Sequence, residues 1–128
     1  MVNIVSDWMV EAASHTCGAW PPEVDEFTKS GLTPIDSDIV KSPRVEESAF
    51  HMECQIFSKT DILNDKGAYS STVVLGRIVR FHVQESLLQV GAQGVPTMDT
   101  HGLNPCGRLG GDRWALLGKT FDIKRPAV

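Results

Sequence analysis

Apolar and polar side chains alternate most regularly in residues 50–57. The apolar positions are Phe50, Met52, Cys54 and Ile56, and the polar positions between them are His51, Glu53 and Gln55. Successive side chains of a strand point to opposite faces, so this period of two predicts a half-buried strand. We expect the apolar set to face the core and the polar set to face solvent.

A turn and a second strand are predicted directly afterwards. Residues 64–67 read Asn-Asp-Lys-Gly, which is typical of a turn, and residues 69–84 are rich in β-branched and aromatic side chains. Together the two strands predict an antiparallel hairpin. Gly76, in the middle of the second strand, indicates a bend, a bulge or a close approach by ligand or backbone. His82 is interpreted as a rim residue that hydrogen-bonds its neighbours, with ligand contact as the alternative.

The N-terminal third is more irregular. Residues 2–5 predict a short strand, and Ser6 is a candidate N-cap for a short amphipathic helix that ends before Gly18. Residues 19–48 contain four prolines and predict a long loop with a single helical turn at residues 23–29. Such a loop is interpreted either as a flap over a pocket, anchored by Trp20 and Phe27, or as a loop that these aromatics pin to the core.

The C-terminal third contains the most distinctive stretch. Residues 86–103 are expected to be irregular, because Gly91, Gly94 and Pro96 interrupt regular structure. Residues 106–118 then read Cys-Gly-Arg-Leu-Gly-Gly-Asp-Arg-Trp-Ala-Leu-Leu-Gly. The paired glycines predict a turn, and we expect a short helix after it, capped by Asp112 and closed by Gly118. This segment is interpreted as a pocket rim or, alternatively, as a structural corner.

Composition sets broad limits on the chain. Its 128 residues, 41% of them hydrophobic and 22% charged, predict a single globular domain over residues 1–128. The net charge of −4 and the scattered basic residues argue against nucleic acid as a partner. We find no signal peptide and no apolar run of membrane-spanning length, which predicts a cytoplasmic protein without membrane contact. The three cysteines are expected to be reduced thiols.

Several segments resemble one family in its own order along the chain. GRLGGDRWALLGKTFDIKRP (107–126) is similar to the C-terminal signature of the flavin reductase-like, FMN-binding split-barrel family. The matching upstream segments are VNIVS (2–6), WPPEVDEF (20–27), GLTP (31–34), SPRVEES (42–48) with Glu53-Cys54, and GRIVRFHV (76–83). The resemblance implies a mainly β split barrel with short helices.

The family resemblance also implies a function. It suggests an oxidoreductase that binds FMN at a dimer interface and uses NADH or NADPH as co-substrate. The implied flavin and nicotinamide residues are those of the Gly-Gly segment, namely Gly110, Gly111, Asp112, Arg113 and Trp114. Early family strands, with an N-x-x-P-F-S pattern and a K-D-T segment, are not present here. We therefore expect a barrel incomplete at its N-terminus, whose missing strands come from a homodimer or from a partner chain.

A different function is also compatible with the sequence. The cleft of the shortened barrel is also compatible with a cofactor-independent isomerase or cyclase, or with a small-molecule binding protein. An inactive relative, or one half of a split pair of chains, is a further alternative. His101, His82 and Asp112 are the candidate catalytic residues. The candidate substrate contacts are Arg108, Trp20, Glu53 and Tyr69. We expect no metal. His15 and Cys17 are two residues apart and would point in different directions on a helix, and His101 with Cys106 has no further ligand cluster at zinc spacing.

Overall fold

The computed structural model describes residues 1–91 and 94–126. Within them, short elements surround one long antiparallel hairpin. The strands are β1 (Val2–Asn3), β2 (Pro34–Ile35), β3 (Arg44–Val45), β4 (Phe50–Leu63), β5 (Tyr69–Val83), β6 (Leu88–Val90), β7 (Pro96–Met98), β8 (Cys106–Arg108) and β9 (Trp114–Leu116). The helices are α1 (Val10–His15), α2 (Glu26–Ser30) and α3 (Thr100–Leu103), and short 3-10 turns cover Asp7–Met9 and Glu85–Leu87.

The hairpin of β4 and β5 confirms the prediction from the strand pattern. The Asn64 side chain accepts the N–H groups of Lys66 and Ala68, and Gly67 has a positive φ of 74°, so the turn forms where the sequence predicts it. The predicted bulge near Gly76 is also present, because Ile56 pairs with Gly76 and Ser58 with Leu75. A further register shift lies between Glu53 and Cys54.

The expectation that the polar residues of β4 face solvent is wrong for His51 and Glu53. His51 and Glu53 are 5% and 0% exposed, whereas Ile56 is 63% exposed. Beyond Ile56 the hairpin projects as an arm, defined here as residues 56–75. Phe57, Leu63 and Leu75 of this arm are more than half exposed. The alternation predicted the strand correctly, and polar partners from distant segments, described below, explain why His51 and Glu53 are buried.

The N-terminal elements brace the base of the hairpin. β1 pairs with β4, with Val2 opposite Met52. The helix predicted after Ser6 is present as a 3-10 turn followed by α1, but the Ser6 side chain makes no capping hydrogen bond. The predicted turn at residues 23–29 is α2, which Asp25 caps through the Phe27 N–H and which ends at Gly31, where φ is 73°.

Two expectations for the C-terminal third are wrong. In the described part of residues 86–103, which excludes 92 and 93, the chain is not irregular, since β6 pairs with β7 and α3 follows, capped by the Asp99 side chain. No helix follows Asp112, because residues 114–116 pair with Cys106–Arg108 as an antiparallel hairpin. Trp114 thus lies on a strand, and strand pairing across the Gly-Gly turn satisfies backbone groups that a helix cap would otherwise have to satisfy.

A small apolar core lies beneath the base of β4. Ala49, Leu87 and Leu103 are buried there, and the partly buried residues packed against them are Ile4, Phe50, Val83 and Met98. In the described part of the chain, no helix combines the length and hydropathy needed to cross a bilayer.

Adjacent leucines provide a matched test of this core. Leu87 is 7% exposed and Leu88 is 48% exposed. We expect Leu87→Ala to lower the free energy of unfolding by about 2–5 kcal/mol, because it removes buried methyl groups and leaves a cavity. Leu88→Ala should change it by less than about 1 kcal/mol. Urea denaturation of both variants measures the difference, and equal losses would show that the core is assigned wrongly.

Candidate functional site

Glu53 is a fully buried charged side chain at the base of the hairpin. Its carboxylate accepts the backbone N–H groups of Asp38, Ile39 and Val40 at 2.8, 2.7 and 2.9 Å. A fourth hydrogen bond comes from His82 Nε2 at 2.6 Å. These bonds attach the loop between β2 and β3 to the sheet. They also explain why a charged residue of β4 points inward.

The hydrogen bonds keep this carboxyl group ionised despite its burial. Burial alone raises the pKa of Glu53, but the bond from His82 and those from the backbone of residues 38–40 outweigh it and lower that pKa to about 2. A carboxylate that accepts several N–H bonds is stabilised in its charged form. Glu53 is therefore a fixed negative charge at the hairpin base.

Asp38, Glu53 and His82 form a cluster whose ligand atoms lie within 4.8 Å of one another. Their hydrogen bonds do not fit a metal ion. Each Glu53 oxygen already accepts two N–H bonds, which use its in-plane lone pairs. Asp38 pairs with Arg80 at 2.7 Å. Together with Arg80, the three side chains therefore form a network of hydrogen bonds and ion pairs.

A cleft of about 900 Å³ opens beside this network. His82, His51 and Arg44 line it, together with the rings of Trp8 and Phe81. The remaining lining residues are Ile35, Glu46, Glu47, Ser48, Ala49, Val83, Gln84, Ser86, Leu87 and Gly102. We call this space the His82 cleft. It combines hydrogen-bonding side chains with two partly exposed aromatic rings, which suits a small planar ligand.

His51 forms a neutral wall of the His82 cleft. Its Nε2 bonds to the Val45 carbonyl oxygen at 2.8 Å, so Nε2 carries the proton, and Nδ1 is buried without a partner. Burial lowers the pKa of His51, and the charges of Arg44 and His82 act in the same direction. The two imidazole rings lie 6.1 Å apart, edge to face.

The Gly-Gly turn forms a second, separate concavity. Leu109, Gly110, Gly111, Asp112, Arg113 and Trp114 line this space of about 680 Å³, and none of them lines the His82 cleft. Gly110 and Gly111 have φ values of 93° and 54°. The Arg108 guanidinium lies 4.9 Å from the centre of the Trp114 ring, and it also donates to the Gly111 carbonyl. Successive residues with positive φ suit a turn that presents backbone N–H groups.

The structure brings only some of the predicted site residues together. Glu53 and His82 are in contact, and the predicted flavin residues share the Gly-Gly turn. His101 lies on α3, where Nε2 bonds to Thr120 Oγ1 at 2.8 Å. Trp20 and Tyr69 line neither space. Trp20 donates to the His15 carbonyl at 2.9 Å, and Tyr69 bonds to Thr72 at the end of the hairpin arm.

Sequence reasoning did not identify the partners of Glu53 and His82. Residues 38–40 contribute backbone N–H groups, which carry no sequence signal. A usable signal did exist in the register of the hairpin. His51 lies opposite His82 and Glu53 lies opposite Arg80, so two neighbouring polar pairs share one face at the base of the hairpin.

The chain is similar to one family model and to several known proteins. The family model described as "Flavin reductase like domain" matches residues 1–95. A protein of Halalkalibacterium halodurans is 31% identical over 128 residues, which is 100% of this chain and 59% of that protein. The chain thus spans about three-fifths of the length of this relative.

Solved structures share the fold. Nitrilotriacetate monooxygenase component B from Bacillus cereus is 32% identical, with a TM-score of 0.84 over 95% of this chain and 58% of that one. A protein from Shewanella frigidimarina NCIMB 400, described as a flavin reductase with a split barrel domain, is 21% identical, with a TM-score of 0.80 over 97% of this chain and 59% of that one. The predicted mainly β, split-barrel-like fold class is confirmed.

Proposed function

The chain belongs to the flavin reductase-like domain family, and on that basis we propose that it is a flavin-dependent oxidoreductase. In this proposal it binds FMN at an interface between two subunits and uses NADH or NADPH as co-substrate. The observation that carries the proposal is the family match over residues 1–95, which includes the whole of the long hairpin. The alignment with the Halalkalibacterium halodurans protein extends over the Gly-Gly turn as well.

The Gly-Gly turn is the proposed flavin contact. Its backbone is open, because a Cβ built at Gly110 or Gly111 would have no neighbour within 4 Å. The N–H groups of Gly111 and Asp112 donate to no atom of the described residues, so they are available to an anionic or carbonyl oxygen. Arg113 adds a positive charge, and Trp114 adds a flat surface for a ring system. These features fit a flavin.

The chain's own residues would bind and orient the cofactor. FMN, when bound, supplies the capacity to accept a hydride from a nicotinamide nucleotide. Asp112 lies in the turn and is the proposed hydrogen-bond partner for that site. His101 and His82 remain proposed catalytic residues, although His101 bonds to Thr120 and His82 lies in the other cleft.

The hairpin arm supports the proposed assembly. Three consecutive residues of β5, Val73, Val74 and Leu75, are 49%, 50% and 54% exposed, so neither face of the arm is covered. An exposed two-stranded sheet with apolar residues on both faces is unusual on the surface of a monomer. A second subunit that packs on the arm would bury these side chains.

An FMN titration tests the proposal most directly. We expect the purified protein to be yellow, or to quench FMN fluorescence with a dissociation constant in the micromolar range or tighter, and then to oxidise NADH or NADPH. Arg108→Ala should weaken FMN binding at least tenfold, because it removes the guanidinium that contacts the Trp114 ring and donates to the Gly111 carbonyl.

Lys41→Ala is the charge-matched control, since Lys41 is exposed and lines neither space. Its affinity for FMN should equal that of the unmodified protein. A colourless protein that leaves FMN fluorescence unchanged would refute the flavin proposal.

A further inference from the structure

His82 is held in a single orientation and a single tautomer. A carboxylate only accepts hydrogen bonds, so the bond to Glu53 requires the proton to lie on His82 Nε2. In the neutral ring, Nδ1 therefore carries the free lone pair. Nδ1 bonds to no atom of the described residues and is not among the buried unpaired atoms, so it keeps access to solvent on a ring that lines the cleft.

Charged and titratable groups surround the His82 ring or line the same cleft. They are Glu53, His51, Asp38, Arg80, Arg44, Glu46 and Glu47. Arg80 and Asp38 neutralise each other, and His51 is neutral. Arg44 donates through Nε and one terminal nitrogen to the Asp36 carbonyl. The Glu53 carboxylate is in direct contact with the His82 ring.

The cleft walls indicate what kind of ligand fits. Trp8 and Phe81 line the cleft and are 52% and 58% exposed as whole residues, which leaves aromatic surface for a ring-shaped ligand to contact. Arg44 and Glu47 also line the cleft. The Arg44 guanidinium already donates to the Asp36 carbonyl, and the Glu47 carboxylate accepts from Thr33. A ligand that arrives neutral therefore fits the cleft better than one that arrives as an anion.

We propose that the His82 cleft is a second small-molecule site, which takes a neutral aromatic ring bearing an acidic O–H or N–H group, and that His82 Nδ1 accepts this proton. The ligand's O–H or N–H bond breaks, its electron pair stays on the ligand, and a new N–H bond forms at Nδ1. The same proton returns when the ligand leaves. Glu53 is a positioning residue that fixes the ring. This site goes beyond the flavin proposal and shares no lining residue with the Gly-Gly turn.

A titration with 4-nitrophenol, without flavin or nicotinamide, tests this inference. The ionised form of this phenol is yellow, so its absorption reports proton loss. At a pH where free 4-nitrophenol is mostly neutral, we expect saturable binding and a phenolate fraction about tenfold above that of the free probe, which corresponds to a pKa shift of about one unit. His82→Gln, which can still donate to Glu53, should lose the excess phenolate.

His15→Gln is the control variant, because His15 is an exposed histidine on α1 that lines neither space. It should behave like the unmodified protein. Nitrogen-15 spectra of the histidine rings give a second readout. They should show the Nε2–H tautomer for His82 in the free protein and the doubly protonated ring with the probe bound.

Several results would overturn the proposal. They are the absence of saturable binding, an unchanged phenolate fraction in the bound state, equal behaviour of His82→Gln, and an Nδ1–H tautomer in the free protein. Competitive displacement of the probe by FMN would show one shared site rather than two. Failure of FMN to bind would leave the 4-nitrophenol result intact, so the two proposals fail separately.

Discussion

Replacing Glu53 with alanine is expected to abolish cooperative folding of the chain at room temperature. The substitution leaves the N–H groups of residues 38–40 and the His82 ring without their acceptor, at a position that has no solvent exposure. Unpaired buried donors are costly because no water replaces the lost partner. Urea denaturation followed by tryptophan fluorescence should show no cooperative transition.

Glu23→Ala is the control for this experiment, since Glu23 is an exposed glutamate that lines neither the His82 cleft nor the Gly-Gly turn. We expect its unfolding midpoint to match that of the unmodified protein. If Glu53→Ala unfolded with the midpoint of the unmodified protein, the network around Glu53 would not contribute to the stability of the fold.

The same carboxylate also predicts how stability depends on acid. The folded pKa of Glu53, about 2, lies below its ordinary value of 4.5, so its stabilising effect is complete above pH 4.5 and is lost as the pH falls toward 2. Asp25 and Glu47 also have lowered pKa values and act with the same sign. Glu53→Gln removes the contribution of Glu53 to this pH dependence and leaves those of Asp25 and Glu47. Its unfolding free energy, measured over this range, should therefore depend less steeply on pH.

Local patterns in the sequence were sufficient for the long hairpin and for α2. Asparagine and glycine at residues 64–67 determine the turn through their own side-chain and backbone geometry. Asp25 and Gly31 determine the two ends of α2 in the same way. In each case the hydrogen bonds that define the element join residues within four positions of one another, so no distant partner is needed to predict it.

The candidate site depends on contacts between segments that are distant in sequence. Glu53 is buried because the backbone of residues 38–40 folds over it, and the composition of that loop does not encode this contact. The error at residues 114–116 has a related cause. Trp-Ala-Leu is compatible with helix or strand, and pairing with Cys106–Arg108 selects the strand.

Gly110→Val is expected to disrupt the Gly-Gly turn and, if the flavin proposal is right, to weaken FMN binding by tenfold or more. Gly110 has a φ of 93°, which a β-branched residue adopts only at a cost of roughly 1–3 kcal/mol. The Arg113 N–H bonds to the Gly110 carbonyl and the Leu109 N–H to the Arg113 carbonyl. A strained turn would lose both bonds and with them the position of Trp114.

Gly107→Val is the matched control, because it introduces the same side chain on the same hairpin. Gly107 lies in β8, its φ is not positive, and no atom lies within 4 Å of the position that a Cβ would take there. Valine suits a strand, so we expect unchanged or slightly higher stability and unchanged FMN affinity. Thermal unfolding and FMN fluorescence titration of the two variants separate turn geometry from side-chain size. Equal FMN affinity in both would exclude the Gly-Gly turn from the flavin site, because only Gly110→Val alters its backbone.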